Sequence, residues 1–224
     1  SADGLVYSVN YKGKAIVLPS SVGMRLANPV LTLQQFSLDH IDSVLVDESW
    51  KPVWGEQSMI RNNYRQLLLS LTDKSGSGIR IQILFRVFND GVGFRYIFPE
   101  QAKLNHFIIA DELTTFALTG DHNTFWIPGD YDTNEYGYYN STLSKIDASG
   151  GGVAQEIHAK TFFDKNAVQT PLMMKSAEGL YINLHEAALV NYPAMNLILD
   201  KSNYTFRSQL VPDAVGNKAY LQAP

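Results

Sequence analysis

Residues 79–98 read IRIQILFRVFNDGVGFRYIF, and this stretch decides the fold class. On both sides of the central NDG, apolar side chains alternate with more polar ones, which is typical of β-strands with one buried face. Asn, Asp and Gly tolerate the backbone angles of a tight hairpin turn. The stretch therefore predicts a β-hairpin that turns at residues 89–91.

Strand patterns continue in both directions from this hairpin. Residues 64–78, YRQLLLSLTDKSGSG, predict a strand ended by a Ser/Gly turn, and residues 5–18, LVYSVNYKGKAIVL, predict a hairpin through Lys12-Gly13. Residues 202–210, SNYTFRSQL, predict a further short strand. The best helix candidate, residues 31–46, alternates about as well as a strand. Many short strands between turn clusters predict an all-β sandwich or barrel.

The composition excludes several classes of function. The chain has 224 residues, enough for one large domain or two small ones, and 45% are hydrophobic and 18% charged, as in globular proteins. Because no linker or repeat divides the sequence, we expect one domain over residues 1–224. A net charge of −4 leaves no basic footprint for nucleic acid, and no apolar run is long enough for a membrane span. Because cysteine is absent, disulfides, thiolate metal sites and a cysteine nucleophile are excluded.

The least regular part of the chain is residues 120–160. Its GDYDTNEY motif places Asp130, Asp132 and Glu135 among tyrosines, a mixture that suits a cation or a sugar, but EF-hand spacing is absent. A solvated loop or an edge that faces another domain is the favoured interpretation. Trp54, in PVWGE, is interpreted as a structural tryptophan that covers the sandwich, with a sugar platform as the alternative. The histidines lack zinc-binding spacing; they are His40, His106, His122, His158 and His185.

A single acid stands out in residues 179–200, GLYINLHEAALVNYPAMNLILD. Counted by twos along a strand, Glu186 has the parity of Ile182 and Leu184, which are expected to be buried. One interpretation ends the strand at Leu184, so that Glu186 lies in a solvated turn. Otherwise its partner is an arginine, a proton or a hard metal ion. One acid cannot build a calcium site, which takes six to eight oxygens.

Five blocks in order along the chain resemble the N-terminal domain of glycoside hydrolase family 97, in particular the α-glucosidases of starch-utilisation systems. The blocks are residues 48–67 (ESWKPVWGEQSMIRNNYRQL), 85–99 (FRVFNDGVGFRYIFP), 124–136 (TFWIPGDYDTNEY), 179–195 (GLYINLHEAALVNYPAM) and 211–224 (VPDAVGNKAYLQAP). The resemblance implies a β-super-sandwich like that of galactose mutarotases. It also implies a catalytic (β/α)8 barrel downstream, absent from this chain, so no catalytic residue is expected here and the chain alone is expected to be inactive.

The resemblance also implies roles for individual residues. Glu186, in HEAAL, corresponds to a glutamate that the family's N-terminal domain lends to a calcium ion, the cofactor. Arg207, Ser208 and Gln209 occupy the place of a substrate-contacting Glu-Ser-Trp stretch; Ser208 agrees, and the other two depart from the pattern. The partners implied are an oligosaccharide substrate and the catalytic barrel of the same polypeptide, in the bacterial periplasm.

The leading hypothesis is therefore a domain of a calcium-dependent, exo-acting α-glycosidase, most simply an α-glucosidase acting on starch-derived oligosaccharides. The family also contains α-galactosidases. Two alternatives come from other classes. A free-standing carbohydrate-binding module would use Trp54, Trp126 and the tyrosines of residues 136–139 as stacking platforms. A mutarotase-type epimerase would use His185 and Glu186 over a sugar ring.

Overall fold

The computed structural model describes residues 4–149, 161 and 163–222; His158 lies outside these ranges. Strands dominate them, and one 3₁₀ helix, Leu143–Lys145, is the only helix there. The strands are β1 Val6–Tyr11, β2 Lys14–Ser21, β3 Met24–Asn28, β4 Leu31–Leu33, β5 Phe36–Trp50, β6 Ile60–Asp73, β7 Arg80–Val87, β8 Val92–Ile97, β9 His106–Glu112, β10 Thr115–Leu118, β11 Asn123–Trp126, β12 Tyr139–Thr142, β13 Ala167–Gln169, β14 Leu172–Lys175, β15 Tyr181–Leu184, β16 Met195–Asp200, β17 Thr205–Leu210 and β18 Ala219–Gln222.

The all-β prediction is confirmed. The 31–46 segment, the best helix candidate, forms β4 and most of β5, because β5 pairs with β6 from Phe36 to Trp50. The strands form two compact units. One holds the chain up to Gln34 together with Phe107–Leu221, and the other holds Gln35–His106. No helix in the described ranges is long and apolar enough to cross a bilayer.

The first unit contains three antiparallel sheets. Their strand orders are β1-β2-β10-β17-β16-β13, β12-β11-β14-β15 and β18-β9-β3-β4. Side chains from the six-stranded sheet and from the β11-containing sheet build one apolar core, which is the sandwich arrangement that alternating strands favour. Its largest fully buried members include Phe206, Leu172 and Met174.

The β1–β2 hairpin of this unit turns where the sequence predicts. Lys12 and Gly13 both have positive φ angles, 50° and 79°, as the two central residues of a tight hairpin turn require. Glycine adopts such an angle without a Cβ clash, so the Lys12-Gly13 pair fixes the register in which Tyr11 pairs with Lys14.

The second unit is built on the sheet β5-β6-β7-β8. The hairpin predicted from residues 79–98 is confirmed: Val87 pairs with Val92, and the N–H of Phe88 donates to the carbonyl of Gly91 at 2.8 Å. The interpretation of Trp54 as a covering tryptophan is wrong. Trp54 is 90% exposed, because it lies in the connection beyond the last β5–β6 pair, Trp50↔Ile60.

Candidate functional site

Glu186 lies just past the end of β15. In that strand Ile182 and Leu184 are buried while Tyr181 is exposed, as the parity predicts. Leu184 pairs with Leu172, and Pro171 comes immediately before Leu172. Proline has no N–H to donate, so the ladder ends there. The strand does end at Leu184, as the solvated-turn interpretation proposed.

The same interpretation is wrong about solvent, because Glu186 is half-buried and hydrogen-bonded. Its Oε2 accepts the backbone N–H of Met195 at 3.0 Å. The Thr170 hydroxyl lies 3.3 Å from the same oxygen and shares its single hydrogen between Glu186 and the Met195 carbonyl, which is 3.0 Å away. The first bond joins the two ends of the 187–194 connection. These donors offset the free-energy cost of partly burying a carboxylate, so no arginine partner is needed.

The hydrogen bonds at Glu186 leave one of its oxygens for another partner. Within the described ranges both donors go to Oε2, and neither a donor nor a cationic side chain reaches Oε1. A carboxylate oxygen is the ligand type that calcium prefers. The same ranges contain no group of three or more acidic or histidine side chains able to hold an ion. Glu186 could therefore supply one ligand to a calcium ion, but it cannot form the whole site.

A second acid, Glu112, ends β9 close to Glu186. Its Oε1 accepts the Thr114 hydroxyl at 2.6 Å and its Oε2 accepts the Tyr192 hydroxyl at 2.8 Å. Burial raises the pKa of Glu112; the two hydrogen bonds oppose this, and the negative charge of Glu186 raises the pKa further. The two carboxyl groups therefore lie close enough for the charge of Glu186 to affect the pKa of Glu112. Sequence reasoning missed Glu112, whose neighbours lie about 80 and 96 residues away along the chain.

The Arg207–Gln209 stretch lies on β17, where alternation separates its members. The Ser208 side chain is buried, and its hydroxyl donates to the carbonyl of Glu112 at 2.7 Å. Arg207 and Gln209 point to the opposite face. There the guanidinium Nη1 of Arg207 donates to the Gln209 amide oxygen at 3.1 Å, and the Gln209 amide nitrogen donates to the Tyr131 hydroxyl at 3.2 Å.

Tyr131, which sequence reasoning did not single out, extends this polar row. Its ring stacks on Phe163 with centroids 4.2 Å apart and planes 4° apart. Burial raises the pKa of the Tyr131 phenol above its usual value, so it stays neutral at physiological pH and can donate or accept. The only sequence signal is its position in the aromatic and acidic 124–136 block.

Pairing of β16 with β17 brings these groups to one end of the six-stranded sheet. Met195, which anchors Glu186, pairs with Leu210, and the next residue, Asn196, pairs with Gln209. The Asn196 amide also bonds the backbone of Asp130, next to Tyr131, at 3.3 Å in both directions. Glu186, Gln209 and Tyr131 are therefore all attached to this end of the β16–β17 pair.

Residues 1–223 match the family described as Glycosyl-hydrolase 97 N-terminal. The chain belongs to this family. The resemblance to this family, drawn from the five sequence blocks, is thereby confirmed at the level of the family. A Bacteroides thetaiotaomicron relative named retaining alpha-galactosidase is 24% identical over 207 residues, which are 87% of this chain and 27% of the relative.

Solved structures of glycoside hydrolase family 97 share the architecture of this N-terminal domain. An enzyme from Pseudoalteromonas sp. strain K8 in complex with acarbose is 27% identical, with a TM-score of 0.84 over 99% of this chain and 31% of its own. A variant from the same strain in complex with panose is 26% identical, with a TM-score of 0.82 over the same shares. The chain spans less than a third of the length of these relatives.

In this glycosyl-hydrolase 97 N-terminal domain, Asp130 organises the loop that carries Tyr131. The solvated-loop interpretation is wrong for Asp130, which is buried, although Asp132 and Glu135 are exposed. The carboxylate accepts the Tyr136 hydroxyl at 2.5 Å, the backbone N–H of Thr161 at 2.9 Å and that of Asp132 at 2.9 Å. Because donors surround both oxygens, Asp130 is a structural acid and not a cation ligand.

The stacking platforms expected of a carbohydrate-binding module are largely unavailable. Trp126 is 4% exposed and stacks on Tyr139, while Tyr136 is buried against Asp130. Trp54 and Tyr138 are exposed. The prediction that Trp126 and Tyr136 act as platforms is therefore wrong, because both rings pack in the interior of the first unit.

Proposed function

We propose that this chain is the N-terminal domain of a calcium-dependent, exo-acting α-glycosidase of the α-glucosidase type, which hydrolyses starch-derived oligosaccharides in the periplasm. The catalytic (β/α)8 barrel would belong to the same polypeptide, and this domain would pack on it. Membership of a glycoside hydrolase family supports a glycosidase. The observation that supports the calcium role most is the Glu186 carboxylate itself: within the described residues, Oε2 accepts hydrogen bonds and Oε1 accepts none.

The division of labour follows from the carboxylates present. Glycosidic cleavage needs two carboxyl groups placed on either side of the scissile bond. Glu112 is engaged by Thr114 and Tyr192, and Asp130 by its own loop, so neither is available as acid or base. The cleaving groups would therefore come from the barrel, and Glu186 would hold the ion. A bound calcium ion orients sugar hydroxyls and stabilises charge at the reaction centre.

The exposed face of β17 suits contact with the sugar. Arg207, Gln209 and Tyr131 present a guanidinium, an amide and a phenol in one hydrogen-bonded row, which matches the hydroxyls of a pyranose. Ser208 would act indirectly, since its hydroxyl is engaged by the Glu112 carbonyl. Its role in substrate binding is to fix the strand that carries the other two.

Replacing Arg207 or Gln209 by Ala is expected to raise KM for an oligosaccharide about three- to tenfold with little change in kcat, because each removes uniform hydrogen bonding to substrate. Initial-rate kinetics on the complete polypeptide measure both constants. Arg86→Ala, an exposed change in the second unit, serves as the control. An unchanged KM in both variants would remove this face from the substrate site.

Removing the metal tests the proposed function as a whole. We expect the complete polypeptide to hydrolyse an α-glucoside, to lose this activity after chelation, and to regain it when calcium but not magnesium is restored. Calcium accepts irregular oxygen shells, whereas magnesium demands a tight octahedron, which explains the expected preference. Full activity in the chelator would contradict a calcium-dependent glycosidase.

An α-galactosidase is the second candidate, and the relative named retaining alpha-galactosidase supports it. The complexes with acarbose and with panose, a trisaccharide of glucose, support the glucosidase. Rates on matched aryl α-glucoside and α-galactoside substrates separate the two. A higher kcat/KM on the galactoside would replace the α-glucosidase proposal while leaving the calcium role in place.

A further inference from the structure

Segment 185–194 joins β15 to β16 and carries Glu186, yet it has no regular secondary structure. Its backbone passes through a left-handed conformation at Asn191, where φ is 54°. Most of its side chains are exposed, so apolar burial contributes little to its order. Side-chain hydrogen bonds tie the segment to the unit: the two at Glu186 Oε2, and the one from Tyr192 to Glu112.

Glu112 is the fixed end of the Tyr192 bond. Its carbonyl accepts the Ser208 hydroxyl at 2.7 Å, and its Oε1 accepts the Thr114 hydroxyl at 2.6 Å. The backbone of Glu112 is thus held by β17, and its side chain by the β9–β10 connection. Its Oε2 is then placed to accept the Tyr192 hydroxyl at 2.8 Å.

An acid is a costly choice for this task. Glu112 is half-buried beside another carboxylate, and within the described residues no cationic side chain forms an ion pair with it. A neutral amide would offer the same acceptor to Tyr192 without the repulsion from Glu186. A half-buried acid that lies beside a second acid at the end of a strand is a candidate for a functional residue.

We propose that Glu112 is a positioning residue: through Tyr192 it holds segment 185–194 so that Glu186 keeps Oε2 on Met195 and offers Oε1 to the ion. Tyr192 precedes Met195 by three residues, so releasing Tyr192 moves the N–H that orients Glu186. The tie, by which we mean the Tyr192–Glu112 hydrogen bond that holds segment 185–194, is argued from the hydrogen bonds alone. Naming calcium as the ion rests on the proposed function.

The test compares Tyr192→Phe and Glu112→Gln in the complete polypeptide. Amide hydrogen exchange of residues 186–195 is followed by mass spectrometry in chelator, and the calcium Kd is measured by titration calorimetry. Tyr192→Phe should speed exchange and raise the Kd, each about tenfold, because a hydrogen bond to a carboxylate is lost. Glu112→Gln keeps an acceptor oxygen, so its effect should be smaller, about threefold.

Tyr181→Phe is the matched control, since Tyr181 is an exposed tyrosine on the preceding strand, β15, and it should change neither measurement. Unchanged exchange in Tyr192→Phe overturns the tie. The positioning role is overturned if Tyr192→Phe lowers the melting temperature but leaves the calcium Kd unchanged, while Glu186→Gln raises that Kd. If Glu186→Gln leaves the Kd unchanged while Tyr192→Phe speeds exchange, the tie stands and the calcium proposal fails.

Discussion

Glu186→Gln should weaken calcium binding by the complete polypeptide about 100-fold or more, since losing even an outer-shell partner of a metal site commonly costs ten- to 100-fold. Glutamine keeps an oxygen that accepts the Met195 N–H, so the 187–194 connection stays anchored. What disappears is the negative charge at Oε1. Turnover at low calcium should fall in parallel and recover in part when calcium is raised.

Glu135→Gln provides the control for this substitution. Glu135 is an exposed acid in the same unit, and the same change there removes one negative charge without touching the strand end. If both variants bind calcium equally well, a general loss of negative charge explains any small effect. Wild-type affinity in Glu186→Gln would remove Glu186 from the calcium site.

Asp130→Ala should destabilise the chain by about 3 kcal/mol, because breaking a buried hydrogen-bond network leaves several donors unsatisfied. The donors left behind are the hydroxyls of Tyr136 and Thr161 and the backbone N–H groups of Asp132, Thr133 and Thr161. Urea unfolding of the 224-residue chain measures the change. Asp132→Ala, an exposed neighbour, should stay within about 0.5 kcal/mol of the wild type.

The Asp130 contribution should depend on pH with a defined sign. Burial by itself raises the pKa of Asp130, but the hydrogen bonds from Thr161, Tyr136 and the backbone outweigh it and hold the pKa below its usual range. A depressed pKa in the folded state means stability that is fully present above the unfolded pKa, about 3.9 for Asp, and lost as pH falls through the folded value. The difference in unfolding free energy between the wild type and Asp130→Asn should therefore shrink below about pH 4. A constant difference from pH 7 to pH 2 would contradict this account of Asp130.

Local rules were sufficient for much of the fold. The period-two alternation of residues 79–98 and the turn residues at 12–13 act over a few positions, so the hairpins followed from the sequence. The 31–46 segment shows the limit of such rules, because its pattern fits two periods and only pairing of β5 with β6 decides between them. Trp54 shows another limit. Its apolar side chain suggested burial, but the sequence does not reveal that the connection between β5 and β6 carries it away from the sheet.

The candidate site divides in the same way. The parity of Glu186 with Ile182 and Leu184 is visible in sequence, and the calcium role that we propose for it rests on resemblance to a family. Its hydrogen bond to Met195 depends on how the segment that follows β15 returns to β16. Glu112 and Tyr131 escaped notice because their contacts join a strand to a loop residue about 80 positions away, and no local sequence pattern encodes such a contact.

The most direct test of the Glu186 role is the crystal structure of the complete polypeptide grown with calcium, with the ion identified by its anomalous signal. We expect a calcium ion 2.3–2.6 Å from one Glu186 carboxylate oxygen, the ordinary calcium–oxygen distance, while the other oxygen keeps the Met195 N–H. A calcium ion whose shell is completed without Glu186, or a Glu186 carboxylate that lies beyond coordination distance of every bound ion, would contradict the calcium role.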